Sequence, residues 1–168
     1  MATNTTIEVW QRGPVDGIAP VLQPVAHALI QVQEDVATLA PGVPIEVLWA
    51  RRNAATAGFH LLHLAASLDR LFTYARGETL TDEQKAAARA EATPRPDLDG
   101  PALSDIVTTA VDMALAQLRA TDPGTAFDFR GVGRAQLPST VIGLLFHAAE
   151  HSTRHAGQFV TTVKILTA

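Results

Sequence analysis

The sequence predicts an all-α fold built as a four-helix bundle. Three observations carry that reading. Four long stretches place apolar residues at three- and four-residue steps, strand-like alternation is confined to one short segment, and capping or proline–glycine signals separate the stretches. The chain has 168 residues, the length of one domain, so residues 1–168 are expected to fold as a unit that opens with a polar segment over 1–12.

The first long helix is expected within residues 14–39, where Ile18, Val21, Leu22, Val25, Leu29, Val32 and Val36 share a face. Pro20 and Pro24 would break its interior, so it should begin near one of them and end before Pro41-Gly42. Residues 44–49 read as a single helical turn. A second long helix is expected over 53–76, with Phe59, Leu62, Leu64, Leu68, Leu71 and Phe72 on its apolar side and Gly77 as its stop.

Thr81 and Gln84 form a capping box that opens a short Ala-rich helix to about residue 92, before the break Thr93-Pro94-Arg95-Pro96. The third long helix is expected over 100–120, ended by Asp122-Pro123-Gly124. Residues 126–136 alternate weakly around Gly131 and Gly133 and suit a small hairpin or an irregular crossing. Pro138-Ser139 should then start the last helix, running to about 165.

Composition narrows the chemistry. With 13 Lys and Arg against 17 Asp and Glu the net charge is −4, which argues against a phosphate-tracking surface and hence against nucleic-acid binding. Hydrophobic residues make up 47% and aromatics only 5%, so the core must be built from Ala, Leu and Val. No apolar run is long enough to span a membrane, and no basic start precedes an apolar stretch, so a cytoplasmic protein is expected. Cysteine is absent. A metal site must therefore use His, Asp or Glu, and a thiol in the chemistry must come from outside.

The histidines carry the functional signal. Of six, His147, His151 and His155 recur every fourth residue on the last helix and so share a face. Adjacent members of such a row can converge on one ion, but His147 and His155 stand about 12 Å apart along the axis and cannot both do so. The pair is His147 with His151, or His151 with His155. A third ligand must come from another helix, where His60 and His63 both face inward at a three-residue spacing. His27 stands alone on the first helix and reads as a packing residue.

Other constellations are weaker. His147-Ala-Ala-Glu150-His151 fits the inverted metallopeptidase pattern, but no Asp or Glu follows His151 to complete it. Asp69 and Arg70 read as a helix-surface pair, with an inward network as the alternative, and Glu150 with Arg154 as an i,i+4 ion pair.

Two stretches, Gly58 to Leu71 and His147 to Gln158, resemble the DinB-like (DinB/YfiT-type) family of metal-binding four-helix bundles. The second stretch is similar to that family's final-helix signature, an H-x-x-x-H pair before Gly-Gln. The resemblance implies an up-down-down-up bundle and a divalent metal, zinc or nickel before others, on three histidines. Matched residue by residue, these are His63, the histidine directly before Leu-Ala, with His151 and His155. His60, His147 and Glu150 would then lie around the site or in its pocket. The family also implies a homodimer, and in some relatives a low-molecular-weight thiol used by a transferase or isomerase. The leading expectation is accordingly a metal-dependent enzyme with water or substrate in an open position. The alternative is a stress-response or binding module in which the ion only staples two helices, with His60 closing the site as fourth ligand. No residue is assigned a catalytic role by spacing.

Overall fold

The computed structural model describes residues 7–168. Its helices are α1 (Gln23–Leu39), the single turn α2 (Ile45–Leu48), α3 (Ala57–Ala75), the short α4 (Asp82–Ala90), α5 (Gly100–Ala120) and α6 (Val141–Thr167). One antiparallel hairpin, β1 (Phe129–Val132) with β2 (Leu137–Thr140), precedes α6. The fold is all-α, a bundle of α1, α3, α5 and α6 with the hairpin and short helices added in the links.

The bounds follow from local chemistry. Pro20 sits in a 3-10 turn (Pro20–Leu22), and Pro24 in the first turn of α1, where its missing N–H leaves no bond unmade. The Gln23 amide holds this entry, accepting from Val15 N at 2.7 Å and donating to Val15 O and Ile18 O at 2.9 and 2.8 Å. The second long helix starts four residues later than its periodicity suggests. Asn53 has φ 59°, outside helical space, and Thr56 caps the helix by accepting from Phe59 N.

Gly77, at φ 80°, ends α3 as expected: its N–H donates to Tyr74 O, and that of Glu78 to Thr73 O, which closes a Schellman motif. The Thr81–Gln84 capping box is formed at α4.

The hairpin lies further along the chain than residues 126–136. Pro138 and Ser139, expected to open the last helix, belong to β2, where Pro138 faces Gly131 across a two-stranded sheet. A proline is tolerated there because both strands are edges. The helix instead starts after Thr140, whose hydroxyl accepts from Gly143 N. Within the segment expected to be polar, Val9 lies in a 3-10 turn and is buried; residues 1–6 fall outside the described part.

Contacts set the helix directions. His60 and His63 of α3 meet His155 and His151 of α6, so those helices run antiparallel. Ala40, just past α1, abuts Gly100 at the start of α5, while Gln33 Nε2 reaches Asp112 and Gly17 approaches Arg119, so α1 and α5 are antiparallel. Trp49 bridges the starts of α3 and α5, lying over Gly58 and donating to Leu98 O at 2.9 Å. Gln117 near the end of α5 donates to Phe72 O near the end of α3, so these two are parallel. The order is up-down-down-up. The core between the four helices is aliphatic, with Leu22, Leu29, Leu61, Leu64, Leu103 and Leu145 fully buried and Phe159 its largest member.

Candidate metal centre

The antiparallel pair α3 and α6 builds the site. Thr56 caps α3 so that Phe59, His60 and His63 fall in its first two turns, and Thr140 sets the start from which His151 and His155 project toward them. One ring nitrogen from each of His63, His151 and His155 falls within 4.8 Å of the others. His63 Nε2 and His151 Nε2 are 3.0 Å apart. Ring centroids of His155 stand 4.5 Å from those of both partners.

The second nitrogen of each ring decides whether this cluster suits an ion. His63 Nδ1 donates to Glu91 Oε1 at 2.9 Å, and that proton leaves Nε2 as a bare lone pair facing the cluster. His155 uses Nδ1 for His60 Nδ1 at 3.1 Å, which leaves its Nε2 free. His151 Nδ1 is buried with no hydrogen-bond partner among the described residues. Nitrogens held about 2.0–2.1 Å from a tetrahedral ion stand about 3.3 Å from one another, so the observed cluster is of the right size. Three neutral imidazoles suit zinc, nickel, iron and cobalt alike. The residues present therefore fit a divalent ion.

Electrostatics favour the ligand form. Burial first, then the neighbouring His63, His151, His60 and Arg154, push the His155 ring down to about 4. Burial and then His63 also lower His151, with Arg154 and His147 acting in the same direction, and burial and then His63 lower His60. Neutral rings are the form that binds metal.

His60 is buried on the far side of His155 and is not among the three rings that converge. His147 and Glu150 face away: His147 Nδ1 bonds Glu150 Oε1 at 2.6 Å on a half-exposed surface, and Arg154 holds Glu150 Oε2 at 2.7 Å. The Glu150–Arg154 pair is as the spacing suggests. His27 lies elsewhere, bonded to Gly13 O.

Two neighbours of the cluster, Glu91 and Ser67, were not legible in the sequence. Glu91, 28 positions after His63, arrives with α4. Arg70 is not in a surface pair with Asp69: it turns to Glu91 Oε2 and to Ser67 Oγ, both at 3.1 Å, while Asp69 accepts from Gln84 at 2.7 Å. Buried Ser67 stands 3.2 Å from His63 Nε2. Phe59 stacks on His63 with centroids 5.2 Å apart.

Residues 3–159 match the family model of the DinB superfamily, a span that includes all three histidines. The chain belongs to the DinB superfamily. No curated protein matches it. This DinB-superfamily chain thus carries a clustered three-histidine site able to coordinate a divalent metal. Among the described residues no fourth His, Asp or Glu joins the group, and no helix is long and apolar enough to cross a membrane.

Proposed function

We propose that this DinB-superfamily protein is a divalent-metal-dependent enzyme acting on a small external thiol, as a transferase or isomerase. The observation that carries the reading is the convergence of three imidazole nitrogens with His63 held in the metal-binding tautomer by Glu91. His63, His151 and His155 would hold the ion, zinc or nickel before others. When bound among three neutral ligands, such an ion keeps its positive charge and supplies Lewis acidity that lowers a thiol's pKa.

The chain's own residues shape what approaches. Arg70 donates to Ser67 Oγ, and the Ser67 hydroxyl in turn donates to His63 Nε2 at 3.2 Å, a bond that a bound ion would replace. Phe59 covers one face of His63 and restricts water. The thiol and a homodimeric assembly rest on the family, together with the absence of cysteine from the chain.

The second reading, an ion that only staples α3 to α6, requires a closed four-ligand site. The position of His60 disfavours it, since its Nδ1 is engaged by His155. Elemental analysis of untagged protein beside a His151→Ala, His155→Ala double variant tests the proposal. About one divalent ion per chain in the parent and little in the variant is expected, followed by turnover with a small-thiol panel. No ion in either, even after incubation with zinc or nickel, would rule it out.

A further inference from the structure

α4 is an unusual neighbour for a buried site, because none of its residues is buried. It has no apolar anchor, and polar side chains fasten it to α3. Gln84 Nε2 donates to Asp69 Oδ2 at 2.7 Å and to Thr73 Oγ1 at 2.8 Å. At the other end Glu91, the residue that closes α4, reaches His63 Nδ1 with one carboxylate oxygen and Arg70 Nη1 with the other. These three side chains are only 16–19% exposed, in contrast to the Lys85–Asp82 pair on the same helix at 50% and 95%. A charge-assisted bond so far removed from solvent is stronger than a surface pair and more exacting in its geometry.

We propose that Glu91 is a positioning residue of the metal centre, acting through His63, and that α4 is the strap that delivers it. The proposal rests on the three-histidine reading and deepens it. An isolated neutral imidazole can place its proton on either nitrogen, and only the Nδ1–H form presents Nε2 to the cluster. The carboxylate selects that form, fixes the ring's rotation and makes Nε2 a better donor. Arg70 holds the carboxylate from its second oxygen and reaches on to Ser67, so the chain Ser67–Arg70–Glu91–His63 encloses one side of the site.

The experiment compares the full chain with Glu91→Gln, Glu91→Ala and Gln84→Ala. Zinc dissociation constants come from competition with a chromophoric chelator, and the His63 ring proton from long-range ¹H–¹⁵N correlation of the metal-free protein. Glu91→Gln and Glu91→Ala should weaken zinc binding by about 10- to 100-fold. Gln84→Ala, which removes one anchor of α4 but keeps the bonds of Glu91 to His63 and Arg70, should weaken it by clearly less than either Glu91 variant. The His63 proton should sit on Nδ1 in the parent and redistribute toward Nε2 in Glu91→Ala, a signature that simple loosening of α4 would not produce.

Unchanged zinc affinity in both Glu91 variants overturns the proposal, as does a loss in Gln84→Ala equal to that in Glu91→Ala. Glu91→Gln keeps the side chain's shape, so the comparison stands even where Glu91→Ala folds poorly. A parent chain that takes up no zinc overturns the three-histidine reading itself. A parent that binds zinc alongside unaffected Glu91 variants overturns only the role of Glu91.

Discussion

His60 Nδ1 lies 3.1 Å from His155 Nδ1, and in that contact one ring must donate and the other accept. Since His155 keeps Nε2 bare only with its proton on Nδ1, His155 is the donor and His60 the acceptor. Replacing His60 with Ala should therefore leave a buried N–H without a partner. The expected cost is about 1–3 kcal/mol of stability by denaturant titration. Zinc affinity should weaken by about tenfold, because the ring loses its orienting bond, while one ion per chain is retained. Complete loss of the ion would instead mark His60 as a ligand.

Metal loading should stabilise the fold, because the site does not exist in the unfolded chain. At free zinc about 100 times the dissociation constant, linkage contributes about 2.7 kcal/mol. For a domain of this size that corresponds to a rise in melting temperature of about 5–10 °C by scanning calorimetry. A chelator should reverse the shift, and His151→Ala should not show it.

Acid should act on the metal-free protein through His155. Its folded value of about 4 lies below the ordinary 6.5, so between these limits the unfolded chain binds more protons than the folded one. The stabilisation is fully present above about pH 6.5 and is lost as pH falls toward 4. His60 and His151, lowered in the same direction, steepen the fall. Melting temperatures of parent and His155→Gln between pH 7.5 and 4.5 check this, with a shallower slope expected in the variant. Metal release should track the same window, since ligation needs neutral rings.

Gly100→Ala tests the join between α1 and α5. A Cβ at that position would stand 1.9 Å from the backbone oxygen of Ala40, an atom that no side-chain rotation can move aside. The substitution should cost about 1–3 kcal/mol despite alanine's better helix propensity. Gly157→Ala is the matched control, because nothing lies within 4 Å of its added carbon. Urea midpoints for the two variants should separate clearly.

How much was legible varies from element to element. The end of α5 was legible in the Asp122-Pro123-Gly124 stop, because such signals act within a few residues, and the structure adds Asp99 as the cap of its start, accepting from Ala102 N. The starts of α3 and α6 were misplaced: the helical reading ran outward past Thr56, and Pro138-Ser139, read as a helix start, pairs in β2, while hydrogen bonds to the Thr56 and Thr140 side chains decide where the helices begin. His151 and His155 were legible as a pair because four residues return a helix to the same face. Glu91 carried no signal, since its relation to His63 depends on how a helix without buried residues settles on α3.

The sequence by itself determined the four long helices, the aliphatic core, the lack of any thiol ligand or nucleophile in the chain and the histidine face of α6, all set by short-range spacing or by composition. It left open His60 against His63, and whether His147 or His155 joins His151, a choice made at the sequence level only by resemblance. Tertiary structure decides both. On α3 the two histidines point about 60° apart, and the rotation at which α3 packs against antiparallel α6 turns His63 into the cluster and His60 behind His155. That rotation is set by the burial of Leu61, Leu64 and Leu68 against residues from distant parts of the chain, a balance to which no local pattern refers.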